Sequence, residues 1–255
     1  MSDKNRNNPS PKAIAREALS RLGAMADPEK AAGGQKYFKD SVKLYGVRAP
    51  DVRGLAAELF ASVRKRWTVG EAVELCDILF PEAELEAKAV GELVLSRFKN
   101  DFPKSLFGKA KAWLAADLLD NWASTDLFCT DAMGALLLKY RDLVPKIKDW
   151  ARHRNLWVRR ASAVSFIKLA KHEEFLPSIY DIAVSLFPDR NDLIHKATGW
   201  LLREAGKCDA RRLEKFLLGH GPAVPRTALR YAIERFPEEK RRAILEKTKP
   251  AKGRK

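Results

Sequence analysis

Apolar residues recur every three or four positions along most of the chain, which is the spacing of one face of an amphipathic helix. The first such segment, at residues 11–25, carries four of them on one face: Ile14, Ala18, Leu22 and Met25. No segment shows the strict apolar–polar alternation, bounded by turn residues, that marks a half-buried strand. The pattern therefore predicts an all-α protein.

Prolines, glycines and capping residues divide this pattern into helices of about 12–18 residues joined by short loops. Thr68 followed by Glu71 is a capping-box sequence, and Pro81 ends the helix that it begins. Early helices are predicted at 11–25, 28–38, from Pro50 through Val63, and at 68–79. Later helices are predicted at 83–98, 103–119, 124–139, 142–152, 155–171, 173–186, 190–206, 209–218, 223–235 and 238–247.

A basic residue followed by alanine recurs at the start of several of these helices, at Lys88, Arg160 and Lys196, with Arg226 as a looser copy. Arg160 and Lys196 are 36 residues apart, and Lys88 and Arg160 twice that. Helix pairs with such a period are typical of HEAT-like repeats. The predicted fold is a right-handed α-solenoid of about six to seven HEAT-like antiparallel helix pairs with a concave basic groove.

The chain carries a formal net charge of +15, which bears on partners rather than on fold. Nucleic acid is the first partner to consider and an anionic membrane surface the second. The recurring cations would line a concave face and follow a phosphate backbone. The alternative is that each of them is a solvated cation at a helix start.

Cysteines and histidines give no sign of a disulfide framework or a metal site. The three cysteines are scattered without a C-x-x-C pair, and the four histidines form no H-x-x-x-H pattern. No long uncharged apolar run is present, and residues 1–10 lack an apolar signal core. We expect a cytoplasmic protein, with disordered ends at 1–10 and 248–255 and a single domain over 11–247.

The segment Asn121–Asp126 places an aromatic residue four positions before a carboxylate. A tryptophan is more often part of a core, as we expect for Trp113, Trp150 and Trp157, but Trp122 lies in a polar context. Asp126 taken alone fits an ordinary helix start, with Ser124 or Thr125 as the cap. Trp200 follows Gly199, a residue that permits close approach of a backbone or ligand.

Three segments in order, NWASTD, LWVRRASAV and HKATGWLLRE, resemble the AlkD-like DNA alkylation repair family, whose members are HEAT-like-repeat DNA glycosylases. Residues 33–56 resemble the family's N-terminal region, with its Q-K and G-V-x-A-P patterns. The resemblance extends over roughly residues 11–245, and it is the ordered set of motifs that makes it specific.

The resemblance implies a catalytic role for Asp126, lesion-facing roles for Trp122 and Trp200, and a phosphate contact for Arg160, with Arg159 as the adjacent alternative. These four residues must then meet on one concave surface. Asn121 departs from the family, where another aromatic often precedes the tryptophan. The candidate DNA-binding residues are Gln35, Lys88, Arg159, Lys196, Arg203 and Arg226.

The activity implied is hydrolysis of the N-glycosidic bond of cationic N3- or N7-alkylated purines in double-stranded DNA, which leaves an abasic site. No lysine is placed for a Schiff base, and no cofactor or metal is expected. A shallow solenoid groove makes a deep base pocket hard to build, and the resemblance implies recognition of the lesion without a pocket that encloses the base. A monomer is sufficient for such an enzyme.

Two other functions remain open from the sequence. A non-catalytic HEAT-like protein that binds damaged or branched DNA would share the basic row but would not need Asp126. A HEAT-like protein-interaction scaffold would not need the arginines, and its binding would depend less steeply on salt.

Overall fold

The computed structural model describes residues 9–249, and every regular element in that range is helical. The one extended pairing among these residues is an isolated parallel bridge between Lys43 and Glu84. The prediction of an all-α fold is confirmed.

Backbone contacts divide the chain into two compact units, one ending at Leu136 and the other beginning at Leu137. The single domain expected over residues 11–247 stays a prediction. The first unit contains these helices: α1 (Pro11–Ala24), α2 (Pro28–Gln35), α3 (Ala49–Val63), α4 (Val69–Leu79), α5 (Leu85–Ser96), α6 (Leu106–Ala115) and α7 (Trp122–Phe128). Helix α8 (Gly134–Lys139) spans the division.

The core of the first unit forms where α5 packs against α3, α4 and α7, and where α1 packs on α4. The buried faces follow the predicted helical spacing, as at Leu55, Leu59 and Val63 on α3. The predicted capping box is confirmed, because the Thr68 side chain accepts from the backbone while Glu71 reaches back to the Thr68 N–H.

The segment between α2 and α3 forms a turn that depends on Gly46, whose φ is +81°. A Cβ at this position would lie 2.1 Å from the Asp27 carbonyl oxygen, so no other residue fits without displacement. Glu86 stabilises the turn, because its carboxylate accepts from the backbone N–H groups of Tyr45, Gly46 and Val47 at 2.9–3.2 Å.

The second unit contains these further helices: α9 (Val144–Lys148), α10 (Leu156–Val164), α11 (Leu176–Leu186), α12 (Asp192–Cys208), α13 (Ala210–His220), α14 (Arg226–Ala232) and α15 (Glu238–Lys247). Helix α12 is its centre and packs against α10, α11, α13 and α14. Helices α12 and α14 approach closely at Gly199, where a Cβ would lie 2.6 Å from the Ala228 carbonyl oxygen. The backbone that Gly199 admits is therefore that of the neighbouring helix.

Several predicted helices in this unit are shorter than expected, and the one predicted at 223–235 forms only over Arg226–Ala232. The helix predicted at 155–171 ends at Val164, and turns with shorter i→i+3 hydrogen bonds follow. Ser162 and Ser165 donate their hydroxyl groups to the carbonyls of Arg159 and Ala161, a local competition that weakens a helix end. The helix predicted at 142–152 is divided by 3-10 turns on both sides of α9.

The disorder predicted at 1–10 and 248–255 falls mostly outside the described residues, but both inner boundaries need correction. Ser10 caps α1 by accepting from the Ala13 N–H at 3.2 Å. Thr248 is buried and donates its hydroxyl to the Ile244 carbonyl at 2.7 Å. Helix termini leave unpaired backbone groups, and these two side chains help to satisfy them.

Candidate functional site

Trp122 and Asp126 occupy one face of α7, since residues four apart in a helix are neighbours on its surface. Both are only partly buried, whereas Phe128 on the opposite side of the same helix is completely buried in the core. The structure therefore brings this predicted pair together and leaves each side chain accessible.

Asn121, rather than Ser124 or Thr125, begins α7. Its side-chain oxygen accepts from the Ser124 N–H at 3.0 Å, as an N-cap residue does. The Ser124 and Thr125 hydroxyls instead donate to the carbonyls of Asn121 and Leu119. Asp126 consequently lies beyond the first helical turn. Its carboxylate is therefore not explained as a helix cap or as a charge in the first turn.

Helix α7 ends in a π-helical turn over Cys129–Met133 before α8 continues the chain. The helix predicted at 124–139 is therefore interrupted directly after the segment that bears Asp126. π-Helical turns occur often at functional sites because the inserted residue changes the direction of neighbouring side chains.

The Trp122 ring stacks on Phe38, with ring centroids 5.2 Å apart and planes inclined by 25°. Phe38 lies just after α2 and is partly exposed, and its neighbour Tyr37 is 79% exposed. This aromatic contact was missed from the sequence. Phe38 lies 84 positions before Trp122, and no local pattern links the two.

A second missed residue is Glu92 on α5, which is only 1% exposed although it is charged in water. Among the described residues, neither of its carboxyl oxygens has a hydrogen-bond partner. Burial raises the pKa of the Glu92 carboxyl well above its usual range; nearby Lys88 opposes this, while the charges of Asp131 and Asp126 add to it. Its position inside the apolar run Val90–Leu95 was the available signal.

In the second unit, Arg160 on α10 and Trp200 on α12 are placed on contacting helices. Arg160 is buried to 5% exposure and donates to the Leu193 carbonyl of α12. Leu193, Lys196 and Trp200 follow one stripe of α12 at i, i+3 and i+7, and Trp200 is partly exposed. That these residues share one surface with Trp122 and Asp126 stays a prediction.

Lys196 has a side chain that is 42% exposed, whereas those of Arg159 and Arg203 are 20% and 21% exposed. It pairs with Asp192 at 2.7 Å, and this hydrogen bond raises the lysine pKa and lowers the aspartate pKa. The lysine therefore keeps its charge and remains able to face a polyanion.

Lys88 was predicted to bind phosphate, and the structure corrects this. The residue is 4% exposed, and its ammonium group donates to the carbonyls of Phe80 and Leu118 at 2.8 and 2.7 Å. Asp120 lies 3.5 Å away. Phe80 ends α4, so this lysine satisfies helix-terminal carbonyls inside the protein rather than facing a ligand.

Arg159 and Arg226 are also engaged within the chain. Arg159, the adjacent alternative to Arg160, pairs with Asp189 at 2.6 Å and donates to two backbone carbonyls. Its guanidinium therefore stabilises the fold. Arg226 donates to the carbonyls of Leu245 and Thr248, which caps the end of α15. The row of cations deduced from the repeat is therefore largely structural.

Gln35 and Arg203, the remaining candidates for DNA binding, have internal contacts as well. Gln35 bridges the Asp40 carbonyl and the Val42 N–H, which closes the loop after α2. Arg203 pairs with Glu234 and lies 3.8 Å from Glu204. Its side chain is 21% exposed, so part of the guanidinium still reaches the surface.

The other tryptophans differ in how deeply they are buried. Trp113 and Trp150 are 2% exposed, which confirms their assignment to the core. Trp157 was expected to be a packing residue, but it is only partly buried on the first turn of α10. Because part of its side chain is exposed, a substitution of Trp157 would not test packing alone.

No group of three or more His, Cys, Asp or Glu side chains within residues 9–249 is arranged to hold a metal ion. Cys76, Cys129 and Cys208 are all free thiols, and burial raises the pKa of the Cys76 thiol. In the same range, no helix is long and apolar enough to cross a membrane.

The described chain is a packed helical protein that carries an accessible tryptophan and carboxylate side by side on one short helix. Residues 18–236 match the model of the family described as DNA alkylation repair enzyme. The chain belongs to this family, and membership supports a role in DNA alkylation repair.

The fold is shared with a solved structure described as "Predicted DNA alkylation repair enzyme from Enterococcus faecalis". The two superpose with a TM-score of 0.73 at 18% sequence identity, over 84% of this chain and 98% of the other. At this identity the likeness concerns the fold, which is consistent with a helical solenoid. No curated protein matched the chain significantly.

Proposed function

We propose that this protein is a monofunctional DNA glycosylase that hydrolyses the N-glycosidic bond of cationic N3- or N7-alkylated purines in duplex DNA. The observation that carries the proposal is the accessible Trp122–Asp126 pair on α7, in a chain of the DNA alkylation repair family. A protein of net charge +15 needs no carboxylate for affinity to DNA, so an accessible aspartate beside an aromatic ring is best explained by chemistry.

In this reaction the bond between C1′ and the purine nitrogen breaks, and its electron pair neutralises the positive charge of the base. Because the alkylated base is already a good leaving group, little general-acid assistance is needed. The positive charge that develops on the deoxyribose is stabilised by the Asp126 carboxylate. Water then adds to C1′ and loses its proton to Asp126, which leaves an abasic site.

The aromatic residues supply recognition of the cationic nucleotide. Trp122, held by its stack on Phe38, presents an electron-rich face to the lesion, and Trp200 is assigned the same role. Each such contact is worth roughly 0.5–2 kcal/mol, depending on how far it is desolvated. Selectivity then follows from the charge and weakened stacking of the lesion, and cleavage needs no pocket that encloses the base.

The phosphate beside the lesion is assigned to Arg160, with Lys196 as an accessible cation close to it. Arg160 donates to the Leu193 carbonyl, which holds its guanidinium against the start of α12. Lys196 lies near enough for the charge of Arg160 to act on its pKa. Together they provide positive potential along the accessible stripe of α12.

The decisive experiment measures release of 7-methylguanine and 3-methyladenine from alkylated duplex DNA by the wild type and by Asp126→Asn. We expect release by the wild type and a loss of at least about 100-fold in the variant, because a preorganised charge opposite the transition state is removed. Affinity for DNA should be kept or slightly raised, since a negative charge near the polyanion disappears.

Asp101→Asn is the matched control, because it removes one carboxylate from an exposed turn far along the chain from α7. Equal rates in Asp126→Asn and Asp101→Asn would exclude Asp126 from the mechanism. If the wild type binds DNA but releases no alkylated base, the protein is a non-catalytic DNA-binding member of the fold. Binding to neither DNA nor lesions would leave the protein-interaction scaffold.

A further inference from the structure

A cavity of about 620 Å³ lies within the first unit, directly beside Trp122. It is bounded by the segment that follows α2 and by α3, α5 and α7, and its surface is predominantly apolar. Phe38, Leu44, Val52 and Leu93 contribute to its wall, with Trp122 and Glu92. Pockets that bind small molecules measure about 300–1,000 Å³ and are mostly apolar with a few polar groups, so this cavity has the size and character of a ligand site.

Glu92 is the polar group that the fold leaves unsatisfied at this cavity. Glu92 lines the cavity, and its buried carboxyl has no hydrogen-bond partner among residues 9–249. Glu86, six residues earlier on the same helix, is buried too, but it receives three backbone N–H groups. The described part of the fold thus supplies partners for the Glu86 carboxylate and none for that of Glu92.

Four ionisable groups act on Glu92 from the elements around it. Lys88 lies on α5 itself, Asp126 on α7, Asp131 on the π-helical turn, and Cys76 on α4. Burial and the two aspartates favour the protonated, neutral acid, against the opposing effect of Lys88. A protonated carboxyl has one O–H donor, so what it lacks is an acceptor on a neutral partner.

The aromatic wall narrows the class of partner further. Phe38 and Trp122 stack with planes inclined by 25°, which provides flat apolar faces at the cavity. Flat heteroaromatic rings stack on such faces, and ring nitrogens and carbonyl oxygens are hydrogen-bond acceptors. A cationic ligand is disfavoured, because Lys30, Arg48 and Arg53 also line the cavity and repel positive charge.

We propose that this cavity is a binding site for a neutral purine base, with Glu92 donating a hydrogen bond to a ring nitrogen or carbonyl oxygen of the purine. The identity of the occupant rests on the proposed function: cleavage converts a cationic alkylpurine into a neutral free base directly beside Trp122. The cavity receives the free base after the N-glycosidic bond has broken, and binding there keeps the base apart from the abasic site. Cleavage itself does not require the cavity.

The test is titration of free 7-methylguanine and 3-methyladenine into the full-length protein, followed by tryptophan fluorescence and calorimetry, with toluene as an apolar probe. We expect both purines to bind the wild type and to bind Glu92→Met at least tenfold more weakly. Toluene should bind the variant as well as or better than the wild type. Equal purine affinity in both proteins, or no purine binding at millimolar concentration, would overturn the proposal.

A pH series separates the role of Glu92 from that of its neighbours. In Asp126→Asn, purine affinity should fall as pH rises through the Glu92 pKa, because the carboxylate that forms can no longer donate. In the doubly substituted Asp126→Asn, Glu92→Gln protein the affinity should not change with pH over that range. The same pH dependence in both proteins would overturn the assignment to Glu92.

Folding and activity are followed separately. Removing an unpaired buried carboxyl should leave Glu92→Met at least as stable as the wild type, so a thermal melt shows that lost binding is not unfolding. Base release without purine binding by the wild type would overturn the cavity proposal alone. Purine binding without base release would support the cavity site while removing the proposed function.

Discussion

Three buried charged residues of α5 differ in the hydrogen-bond partners that surround them. Glu86 is surrounded by three backbone donors and Lys88 by two backbone acceptors. Glu92 has none among the described residues. Burial of an ion is tolerated when hydrogen bonds replace its hydration, and otherwise the group takes its neutral form. The first two therefore hold the fold together, and the third is available to a ligand.

Glu92→Gln should change the pH dependence of stability. The folded-state pKa of Glu92 is raised above its ordinary value of 4.5, so the acid stabilises the folded chain fully below that pH. As pH rises towards the folded-state pKa, the wild type should lose stability relative to Glu92→Gln by up to about 1.4 kcal/mol per pH unit. Urea unfolding at pH 5, 6, 7 and 8 measures the difference.

The control for this series is Glu239→Gln, which makes the same chemical change on the exposed first turn of α15. A difference between wild type and Glu92→Gln that stays constant from pH 5 to 8 would show that Glu92 titrates normally.

Lys88→Met should destabilise the protein by about 2–4 kcal/mol, because two buried carbonyls lose their donor and Asp120 loses its cation. Lys99→Met, on an exposed turn, should leave the free energy of unfolding within about 0.5 kcal/mol of the wild type. Chemical denaturation compares the two. A Lys88→Met protein as stable as Lys99→Met would return Lys88 to the list of candidate phosphate contacts.

At the scale of elements, the second unit depends on the close packing of α12 against α14. Gly199 lies within reach of the Ala228 backbone and the Tyr231 Cβ, so the two helices are nearer than any side chain would allow. The same helix α12 carries Lys196 and Trp200 on its accessible stripe and receives Arg160 at its start. Its position therefore decides where those candidate site residues lie.

Gly199→Ala should lower the free energy of unfolding by about 1–3 kcal/mol, because a Cβ placed 2.5 Å from the Tyr231 Cβ forces the helices apart. Gly108→Ala on α6 is the matched control, since a Cβ there meets nothing within 4 Å. That variant should gain up to about 1 kcal/mol from helix propensity. If both substitutions stabilise the protein, the α12–α14 contact is not closely packed in solution.

At the scale of the whole molecule, the net charge of +15 remains although several of its cations are internal. Lys88, Arg159 and Arg226 bind carbonyls or an aspartate, so the positive surface rests on other residues. Attraction to a polyanion depends on total charge and its distribution, and it survives the loss of an ordered row. The repeat pattern thus identified structural cations, while the composition still favours a nucleic-acid partner.

Binding to duplex DNA should weaken with salt along a log–log slope of about −0.9 for each phosphate neutralised. The phosphate contact that we propose for the exposed ammonium of Lys196 predicts that Lys196→Gln makes this slope shallower by about 0.9. In Lys88→Met, measured where the protein remains folded, the slope should not change. Fluorescence anisotropy from 50 to 300 mM salt gives the slopes, and a wild-type slope near zero would exclude DNA as the partner.

How much could be known in advance differs between fold and site. The helical periodicity, the Thr68 cap and the bounds of α15 follow from local interactions within one or two turns, and each is confirmed. The early ends of α10 and α9 were not predicted, because serine hydroxyls and packing decide there between near-equal turn types. Motif spacing also identified Trp122 and Asp126 as helix neighbours, since four residues complete about one turn.

The sequence by itself determined an all-α chain, a basic surface and an aromatic–carboxylate pair on one helix, because each depends on composition or on contacts a few residues apart. Only the tertiary structure decided which cations face inward, that Phe38 stacks on Trp122, and that Glu92 lines a cavity without a hydrogen-bond partner among residues 9–249. Those outcomes depend on packing between segments tens of residues apart, and burial then sets whether a charge is paired, neutralised or free to meet a ligand.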